Sequence, residues 1–226
     1  MNSSVVYIVA KAPRPGTAKT RLSPPLTPEQ AARVAEAFLL DVLGLARQAR
    51  ALVVRAMCRD QSDLDHIRQL CGRHVEVLCQ LEPGLSAALE ECFIHGLADG
   101  FAKVAVLGGD SPTLPPGLIE QAFDALDSHD VVVGPTEDGG YYLLGARAAH
   151  PMLLRGMVWS TDRVFEDTMA RARGAGLETA VLPPWYDVDT PEDLARIARD
   201  LESGPSGLAP HTRDVLKAVD SRGTPS

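Results

Sequence analysis

The sequence predicts an α/β protein built around a mostly parallel sheet. Short apolar segments alternate along the chain with longer segments in which apolar residues recur every three or four positions. Strands that alternate with helices imply right-handed βαβ units and therefore parallel strands. With 226 residues, 45% of them hydrophobic and 23% charged, the chain can bury a sizeable core within one large domain.

The first half of the chain follows this alternation regularly. It opens with an apolar strand at residues 5–10, which is predicted to be buried on both faces. Thr27 and Gln30 form a capping-box pattern at the start of a helix that extends to Arg50. The next predicted elements are a strand at 51–58, a short helix opened by a Ser62-Asp63 capping box and ending at 70, a strand at 75–79, a helix at 85–98 and a strand at 103–107.

The second half contains one departure from parallel order. Six residues with a Gly-Gly pair join the strands predicted at 130–134 and 141–145, which indicates a local antiparallel pairing. Residues 1–202 are predicted to form a single domain, and residues 203–226 a loosely ordered tail with one helical turn near 214–219. The other predicted elements are a helix from 115 to 128, a helix at 163–173 capped by Thr161-Asp162, a strand at 178–182 and a helix capped by Thr190 and ending at 201.

The composition excludes several classes of protein. A net charge of −8 and a pI near 5.2 argue against a general nucleic-acid binder, which would carry a basic face. No apolar run approaches the roughly 20 residues that span a bilayer, and no signal peptide is evident. The four cysteines have no C-x-x-C spacing, which predicts buried free thiols and a cytoplasmic protein. The six histidines form no pair at metal-ligand spacing.

A basic loop follows the first strand. Lys11, Arg14, Lys19 and Arg21 lie within eleven residues together with Gly16, in a chain that is acidic overall. Because α/β proteins present cations and backbone N–H groups at the carboxyl ends of strands, this loop predicts a site for an anion. It is not a Walker A loop, since an alanine precedes the lysine, and the three-glycine dinucleotide fingerprint is absent as well. A solvated basic loop is the alternative.

Acidic residues follow two other predicted strands. Asp110 comes directly after an apolar strand and a Gly-Gly pair, so it is either a loop residue near the next helix or a metal ligand. A carboxylate can share a phosphate site only through a cation, and Mg²⁺ or Mn²⁺ bound by one or two carboxylates would serve. Asp187 and Asp189 supply a candidate second ligand, because Thr190 already provides the helix cap.

Two further segments could belong to the site. Asp138-Gly139-Gly140-Tyr141-Tyr142 has the pattern of a hairpin turn, and its aromatic residues would stand over the same edge of the sheet. Trp159-Ser160-Thr161 has the pattern of an aromatic contact followed by a helix cap, and a helix start there would suit an anionic group on an acceptor.

Taken together, these motifs resemble one family. The chain is similar to the bacterial proteins of the nucleotide-diphospho-sugar transferase (glycosyltransferase-A-like) fold that are often labelled simply glycosyltransferase. It also resembles the 2-phospho-lactate guanylyltransferases and, more distantly, the molybdenum-cofactor guanylyltransferases. The resemblance spans residues 5 to 202 and rests on Lys11-Ala12-Pro13-Arg14-Pro15-Gly16, Lys19-Thr20-Arg21-Leu22, Gly109-Asp110-Ser111-Pro112, the 138–145 segment, Trp159-Ser160-Thr161 and the 187–194 segment.

The resemblance implies a three-layer α/β/α sandwich that binds a nucleotide at the carboxyl ends of the first strands. It implies that Asp110 binds metal together with Asp187 or Asp189, and that Lys19, Arg21 and Asp110 are catalytic. Residues 138–141 and 159–161 would bind the acceptor, and Lys11, Ala12, Pro13, Arg14, Gly16, Lys19, Arg21, Gly84 and Gly109 the nucleotide. One segment departs from the family pattern, because Gly84-Leu85-Ser86-Ala87-Ala88-Leu89 lacks a second glycine and a basic residue.

Three hypotheses for function follow. The first is a transferase that moves the nucleotidyl group of an NTP to a small anionic acceptor and releases pyrophosphate, with most of the rate coming from positioning and charge neutralisation. The second is glycosyl transfer from a nucleotide-diphospho-sugar. An Asp-x-Asp motif that includes Asp110 would favour it, but this motif is missing, because the residues two positions before and after Asp110 are Gly108 and Pro112. The third is a nucleotide-binding module without catalysis. Apolar faces on the later helices would permit a homodimer.

Overall fold

In the computed structural model, which describes residues 4–49 and 53–220, the chain folds around a seven-stranded sheet. The strand order is β3-β2-β1-β4-β6-β5-β7, and every strand is parallel to its neighbours except β6, which is antiparallel to both β4 and β5. The predicted mostly parallel sheet is confirmed. The strands are β1 (Ser4–Ala10), β2 (Val53–Cys58), β3 (Glu76–Cys79), β4 (Lys103–Leu107), β5 (Val131–Pro135), β6 (Tyr141–Ala146) and β7 (Thr179–Val181).

Helices cover both faces of the sheet, so the described chain forms three layers. One face packs against α1, α2 and α4, and the other against α3, α5 and α6. The central strand β1 is buried on both sides, because Tyr7 faces one layer and Ile8 the other. The helices are α1 (Pro28–Gln48), α2 (Leu64–Cys71), α3 (Leu85–Ala98), α4 (Pro116–Ala125), α5 (Pro151–Leu154), α6 (Val164–Gly174), α7 (Pro191–Ser203) and α8 (Pro210–Asp220).

The helix caps confirm two sequence predictions and correct two others. Thr27 and Gln30 form a capping box at α1, and Thr190 and Asp193 form one at α7. The predicted Ser62-Asp63 box is wrong, because the backbone N–H of Ser62 binds the Asp60 carboxylate in a 3₁₀ turn. The predicted Thr161-Asp162 cap of α6 is also wrong: the helix begins after Arg163, whose side chain makes no capping bond.

The C-terminal segment differs from its prediction as a loosely ordered tail. Residues Pro210–Asp220 form α8, which packs beside α1 with Ala209 and Leu216 buried in the same cluster as Phe38. The buried carboxylate of Asp41 accepts hydrogen bonds from the backbone N–H groups of His211 and Thr212 and from the Thr212 hydroxyl. Asp41 belongs to α1, far from α8 in the sequence, so local sequence patterns do not indicate this cap. Residues 221–226 of the predicted tail, and 50–52 of the predicted helix and strand, lie outside the described residues.

Two other expectations concern the thiols and the membrane. Cys58, Cys71, Cys79 and Cys92 are free thiols, and all but the half-buried Cys79 are buried. In the described ranges, the helices are too short or too polar to cross a bilayer.

Candidate active site

The candidate site lies at the edge of the sheet where the parallel strands end. The loops after β1, β2 and β4 emerge there, and antiparallel β6 begins there, so the 136–140 turn reaches the same edge. The 183–190 segment joins them through backbone hydrogen bonds: Val188 N–H to the Asp110 carbonyl oxygen (2.9 Å) and Glu137 N–H to the Trp185 carbonyl oxygen (3.0 Å). Segments that are far apart in the sequence thus meet at one edge of the sheet.

Lys19 lies at the centre of this edge. Its ammonium nitrogen is 2.6 Å from Asp110 Oδ1, 2.7 Å from Asp189 Oδ1 and 2.7 Å from the carbonyl oxygen of Val188. The side chain is only 7% exposed and lies over the Phe38 ring, 5.5 Å from its centroid. Burial by itself would lower the pKa of Lys19, but the two carboxylates outweigh it and the pKa is raised. Lys19 therefore stays protonated and positively charged between the carboxylates of Asp110 and Asp189.

Asp187 is a carboxylate of this edge that has no counter-ion among the described residues. It forms no ion pair with any residue of the described ranges, whereas Asp189 contacts both Lys19 and Arg21. Burial, followed by the nearby carboxylates of Asp138, Asp189 and Asp110, raises the pKa of Asp187 to about 7. A partly buried carboxylate with other carboxylates around it favours a cation beside it.

These carboxylates fit a magnesium-like ion but not a cage made of protein alone. Within the described part of the chain, no group of three or more His, Cys, Asp or Glu side chains is arranged to hold a metal. Mg²⁺, however, is usually held by one or two carboxylates plus phosphate oxygens and water. Asp110 is half exposed and uses only Oδ1 on Lys19, which leaves its other oxygen available beside Asp187.

The basic loop is held in shape by Asp63, which the sequence analysis did not identify. One Asp63 oxygen accepts the backbone N–H of Ala12 at 3.1 Å, and the other is 2.8 Å from Arg14 Nε and 2.6 Å from Arg14 Nη2. Arg14 also donates to the Ser62 carbonyl oxygen. Much of the hydrogen-bonding capacity of Arg14 is therefore used within the protein.

Three cations at this edge remain open to a ligand. Lys11 is exposed and has no partner in the described ranges, and Arg21 is 67% exposed with one contact of 3.3 Å to Asp189. Arg59, which the sequence analysis did not single out, directly follows β2, and its backbone N–H pairs with the carbonyl oxygen of Ala10. Its Nε is buried without a partner, and burial lowers its pKa. Its position after a strand end was the signal that could have identified it.

The glycines of the site allow close approach. A side chain at Gly139, whose φ is +90°, would lie 2.0 Å from the carbonyl oxygen of Asp162, so only glycine fits there. The Gly139 carbonyl oxygen accepts the backbone N–H of Phe165, which ties the 136–140 turn to the start of α6. In the same turn, Asp138 accepts hydrogen bonds from Thr136 Oγ1 and from the Gly140 N–H. Gly109 lies beside the end of β1, near the Val9 carbonyl oxygen.

A second group of predicted residues meets the start of α3. Trp159 packs edge-to-face on Tyr141, with ring centroids 6.1 Å apart, and its indole N–H donates to Ser86 Oγ at 2.8 Å. Ser86 Oγ donates in turn to the Leu154 carbonyl oxygen. Gly84, with φ +106°, precedes α3, and Ser160 adopts a left-handed φ of +62°. The segment that departs from the family pattern thus anchors the Trp159 segment.

The predicted residues therefore fall into two groups and a few outliers. Lys19, Asp110, Asp138, Asp187 and Asp189 form one acidic cluster around a lysine, and Tyr141 and Trp159 form the other group with Ser86. The Gly139 contact with residues 162–165 links the two groups. Pro13 is buried, Gly16 has a φ of +77° in an open turn, and the Thr161 hydroxyl donates to the Val158 carbonyl oxygen.

The fold defines the class of this protein. It matches a structure from Desulfovibrio desulfuricans G20 assigned as a nucleotide-diphospho-sugar transferase, with a TM-score of 0.89 and 27% identity, over 98% of this chain and 96% of that one. The chain is also 31% identical over 207 residues to 2-phospho-L-lactate guanylyltransferase of Methanothermobacter thermautotrophicus, covering 89% of this chain and 85% of that protein. It is 33% identical over 214 residues to 3-phospho-D-glycerate guanylyltransferase of Phenylobacterium zucineum, covering 91% and 92%.

Family membership follows from the sequence. Residues 40–161 match the family described as "Uncharacterized protein conserved in bacteria (DUF2064)", and the chain belongs to this family. The relatives confirm the expected class, a transferase of the nucleotidyltransferase type.

Proposed function

We propose that this protein transfers the guanylyl group of GTP to a small phosphorylated hydroxy acid and releases pyrophosphate, with Mg²⁺ or Mn²⁺ as cofactor. Two guanylyltransferases that match most of the chain support the choice of GTP. The acceptors in their names, 2-phospho-L-lactate and 3-phospho-D-glycerate, both combine a phosphate with a carboxylate. The observation that carries the proposal is the meeting, within the described residues, of cations without close acidic partners and partly buried carboxylates at one edge of the sheet.

The open cations suit the triphosphate of the nucleotide. Lys11, Arg21 and Arg59 follow the ends of β1 and β2, where their charges would lie against the phosphate oxygens. Charge-assisted hydrogen bonds from lysine and arginine to phosphate are among the strongest in proteins. In a net acidic chain, such a local cluster is what allows a highly charged anion to bind.

Asp110 and Asp187 would hold the divalent cation. Both lie at the edge where the phosphates would bind, and neither is fully neutralised by a protein cation. When bound, the ion would neutralise charge on the phosphate oxygens and orient them. Asp189 is the less suitable ligand, because it already contacts Lys19 and Arg21.

The chemical step is a displacement at phosphorus. A phosphate oxygen of the acceptor forms a bond to the α-phosphorus of GTP, the bond from that phosphorus to the bridging oxygen of the β-phosphate breaks, and pyrophosphate leaves with the electron pair. The protein needs no covalent intermediate for this step, since alignment and preorganised charge supply the rate. Lys11, Arg21 and Arg59 would stabilise the charge that develops on the leaving pyrophosphate.

The acceptor would lie against the later part of the chain. The Asp138-Gly139-Gly140 turn and the Trp159-Ser160-Thr161 segment reach the same edge from β6 and from the start of α6. The apolar rings of Tyr141 and Trp159 would enclose the carbon skeleton of a small acid. The acceptor would thus be bound by later segments of the chain than those that carry the cations proposed for the nucleotide.

The test is a matrix of donors and acceptors. ATP, GTP, CTP and UTP are each combined with 2-phospholactate, 3-phosphoglycerate and the matching unphosphorylated acids, with Mg²⁺, Mn²⁺ or EDTA. Pyrophosphate release and the mass of the product are measured, with the Asp110→Asn variant as control. We expect turnover only with GTP, a phosphorylated acid and a divalent ion. Turnover of GDP-mannose or another sugar nucleotide, without any from NTPs, would establish glycosyl transfer instead.

A further inference from the structure

We propose that Lys19 is a positioning residue that acts as a fixed cation of the site, and that it does not bind the phosphates of the nucleotide. The inference rests on the proposed function for the reaction itself, but its structural basis is independent of the nucleotide. A lysine in a loop beside a phosphate site would ordinarily be taken as a phosphate ligand, as the sequence pattern suggests.

The ammonium of Lys19 has no hydrogen bond left to give. It carries three N–H groups, and three oxygens surround it at 2.6–2.7 Å: those of Asp110, Asp189 and the Val188 carbonyl. A phosphate oxygen could reach it only by displacing one of these partners. Displacement would leave a partly buried carboxylate, or the carbonyl group of the buried Val188, without this donor.

The surroundings hold Lys19 in this position. Leu22 from its own loop, Phe38 from α1 and Val188 from the opposite loop are all fully buried in one apolar cluster. The ring of Phe38 lies beneath the ammonium, and the backbone of Lys19 adopts a left-handed φ of +46°, which residues with a side chain rarely adopt. Turning the side chain outward would give up these contacts together with the three oxygens.

The neighbouring Arg21 shows the contrast. Its side chain is 67% exposed, and its single acidic contact, at 3.3 Å to Asp189, is long. Arg21 can turn toward a triphosphate at little cost, whereas Lys19 cannot. Lys19 thus has a structural role in this loop, and Arg21 is available to bind a ligand.

The position of the ammonium also resembles a cation site. Two carboxylate oxygens and one backbone carbonyl oxygen around a single point are the hard oxygen donors that Mg²⁺ and Mn²⁺ prefer. With Lys19 in this place, Asp110 and Asp189 are fixed without a metal, and a divalent ion is needed only on the other side of Asp110, next to Asp187. Removing the ammonium should therefore create an additional metal site.

The experiment compares Lys19→Met with Arg21→Met in the absence of nucleotide. Thermal unfolding is recorded with EDTA and with millimolar Mg²⁺ or Mn²⁺, and bound Mn²⁺ is counted by electron paramagnetic resonance. In EDTA, Lys19→Met should melt several degrees lower than the wild type, because two carboxylates lose their counter-ion. Metal should restore most of this loss, and the variant should bind one more Mn²⁺ than the wild type. Arg21→Met should match the wild type in both measurements.

Kinetics separate the two roles further. Arg21→Met should raise KM for GTP about tenfold, as the loss of one charged phosphate contact predicts. Lys19→Met should lower kcat and leave KM nearly unchanged. If Lys19→Met instead keeps the wild-type melting temperature and metal count and raises KM as Arg21→Met does, the lysine is a phosphate ligand and the inference is wrong.

A second variant guards against failure to fold. Lys19→Met combined with Asp189→Leu removes one charge of each sign and one oxygen donor that a metal would need, because leucine has no side-chain oxygen. It should melt close to the wild type and bind no additional Mn²⁺, and additional Mn²⁺ in this variant would contradict the three-oxygen site. Because melting and Mn²⁺ counting use no nucleotide, a wild type that fails to use GTP would overturn the proposed function and leave this test intact.

Discussion

The backbone N–H of Val188 donates a 2.9 Å hydrogen bond to the carbonyl oxygen of Asp110. This bond joins the loop after β4 to the segment before α7, although 78 residues separate them in the sequence, the difference of 188 and 110. It brings Asp187 and Asp189 near Asp110, and in the described ranges only Asp189 of these two has a lysine for a partner. The difference between these two aspartates leads to the first prediction.

Asp187→Asn should stabilise the metal-free protein and abolish its activity. The substitution removes a partly buried charge that lies near the carboxylates of Asp110, Asp138 and Asp189, and we expect about 1 kcal/mol of added stability, or about 2–4 °C in Tm. Turnover should fall at least about 100-fold, because a charged group of the site is lost. Melting in EDTA and pyrophosphate release measure the two effects, with the exposed Asp124→Asn as control. A lower melting temperature would show that Asp187 is stabilising.

Arg59→Met should weaken nucleotide binding without harming the fold. The guanidinium has no acidic partner in the described chain, so its removal breaks no ion pair. We expect KM for GTP to rise about tenfold, corresponding to about 1.4 kcal/mol. The control is Arg147→Met, an exposed arginine after β6 at the opposite edge of the sheet. Equal KM values for the two variants would remove Arg59 from the site.

Asp63→Asn should loosen the basic loop. The carboxylate holds the Ala12 N–H and the Arg14 guanidinium, and the neutral amide would keep only part of these bonds. We expect a loss of about 1–3 kcal/mol in stability and a higher KM for GTP, because the loop no longer presents its cations in one arrangement. Asp65→Asn, two residues further on in the first turn of α2 and 92% exposed, is the control. An unchanged KM would mean that the loop shape does not depend on Asp63.

Asp41→Ala should release α8 while leaving catalysis intact. Two backbone N–H groups and one hydroxyl at the start of α8 lose their acceptor, which should cost about 1–3 kcal/mol. Hydrogen exchange at residues 210–220 should accelerate, and kcat with GTP should stay near the wild-type value. The exposed Asp214→Asn on the same helix should change neither. Loss of activity would show that α8 supports the site.

The sequence patterns located the strands and most helices closely. The helix at Leu85–Ala98 and the strand at Lys103–Leu107 have the predicted bounds, because flanking glycine or proline limits where each element can begin and end. The capping boxes at Thr27 and Thr190 were equally local features. The loops that carry Lys19, Asp110 and Asp187 could be placed at one edge of the sheet because the carboxyl ends of parallel strands lie at the same edge.

What the sequence did not reveal depends on contacts between distant residues. Asp63 was interpreted as part of a helix cap, yet its carboxylate binds a loop 49 residues away. Asp41 binds a helix 171 residues away, so the C-terminal segment looked unstructured when it was considered alone. The saturation of Lys19 likewise depends on oxygens from two other loops. Short-range patterns contain no information about such partners.

The antiparallel strand β6 has a consequence for how such enzymes diversify. Because β6 begins at the site and carries the chain away from it, the proposed acceptor side is made of two separate segments, 138–141 and 159–161, while the cations proposed for the nucleotide all precede residue 60. Inherited changes in these two segments can alter which acid is bound as acceptor, while the binding of the nucleotide is kept. We therefore expect lineages of this family to share one donor and to differ in their metabolic niche.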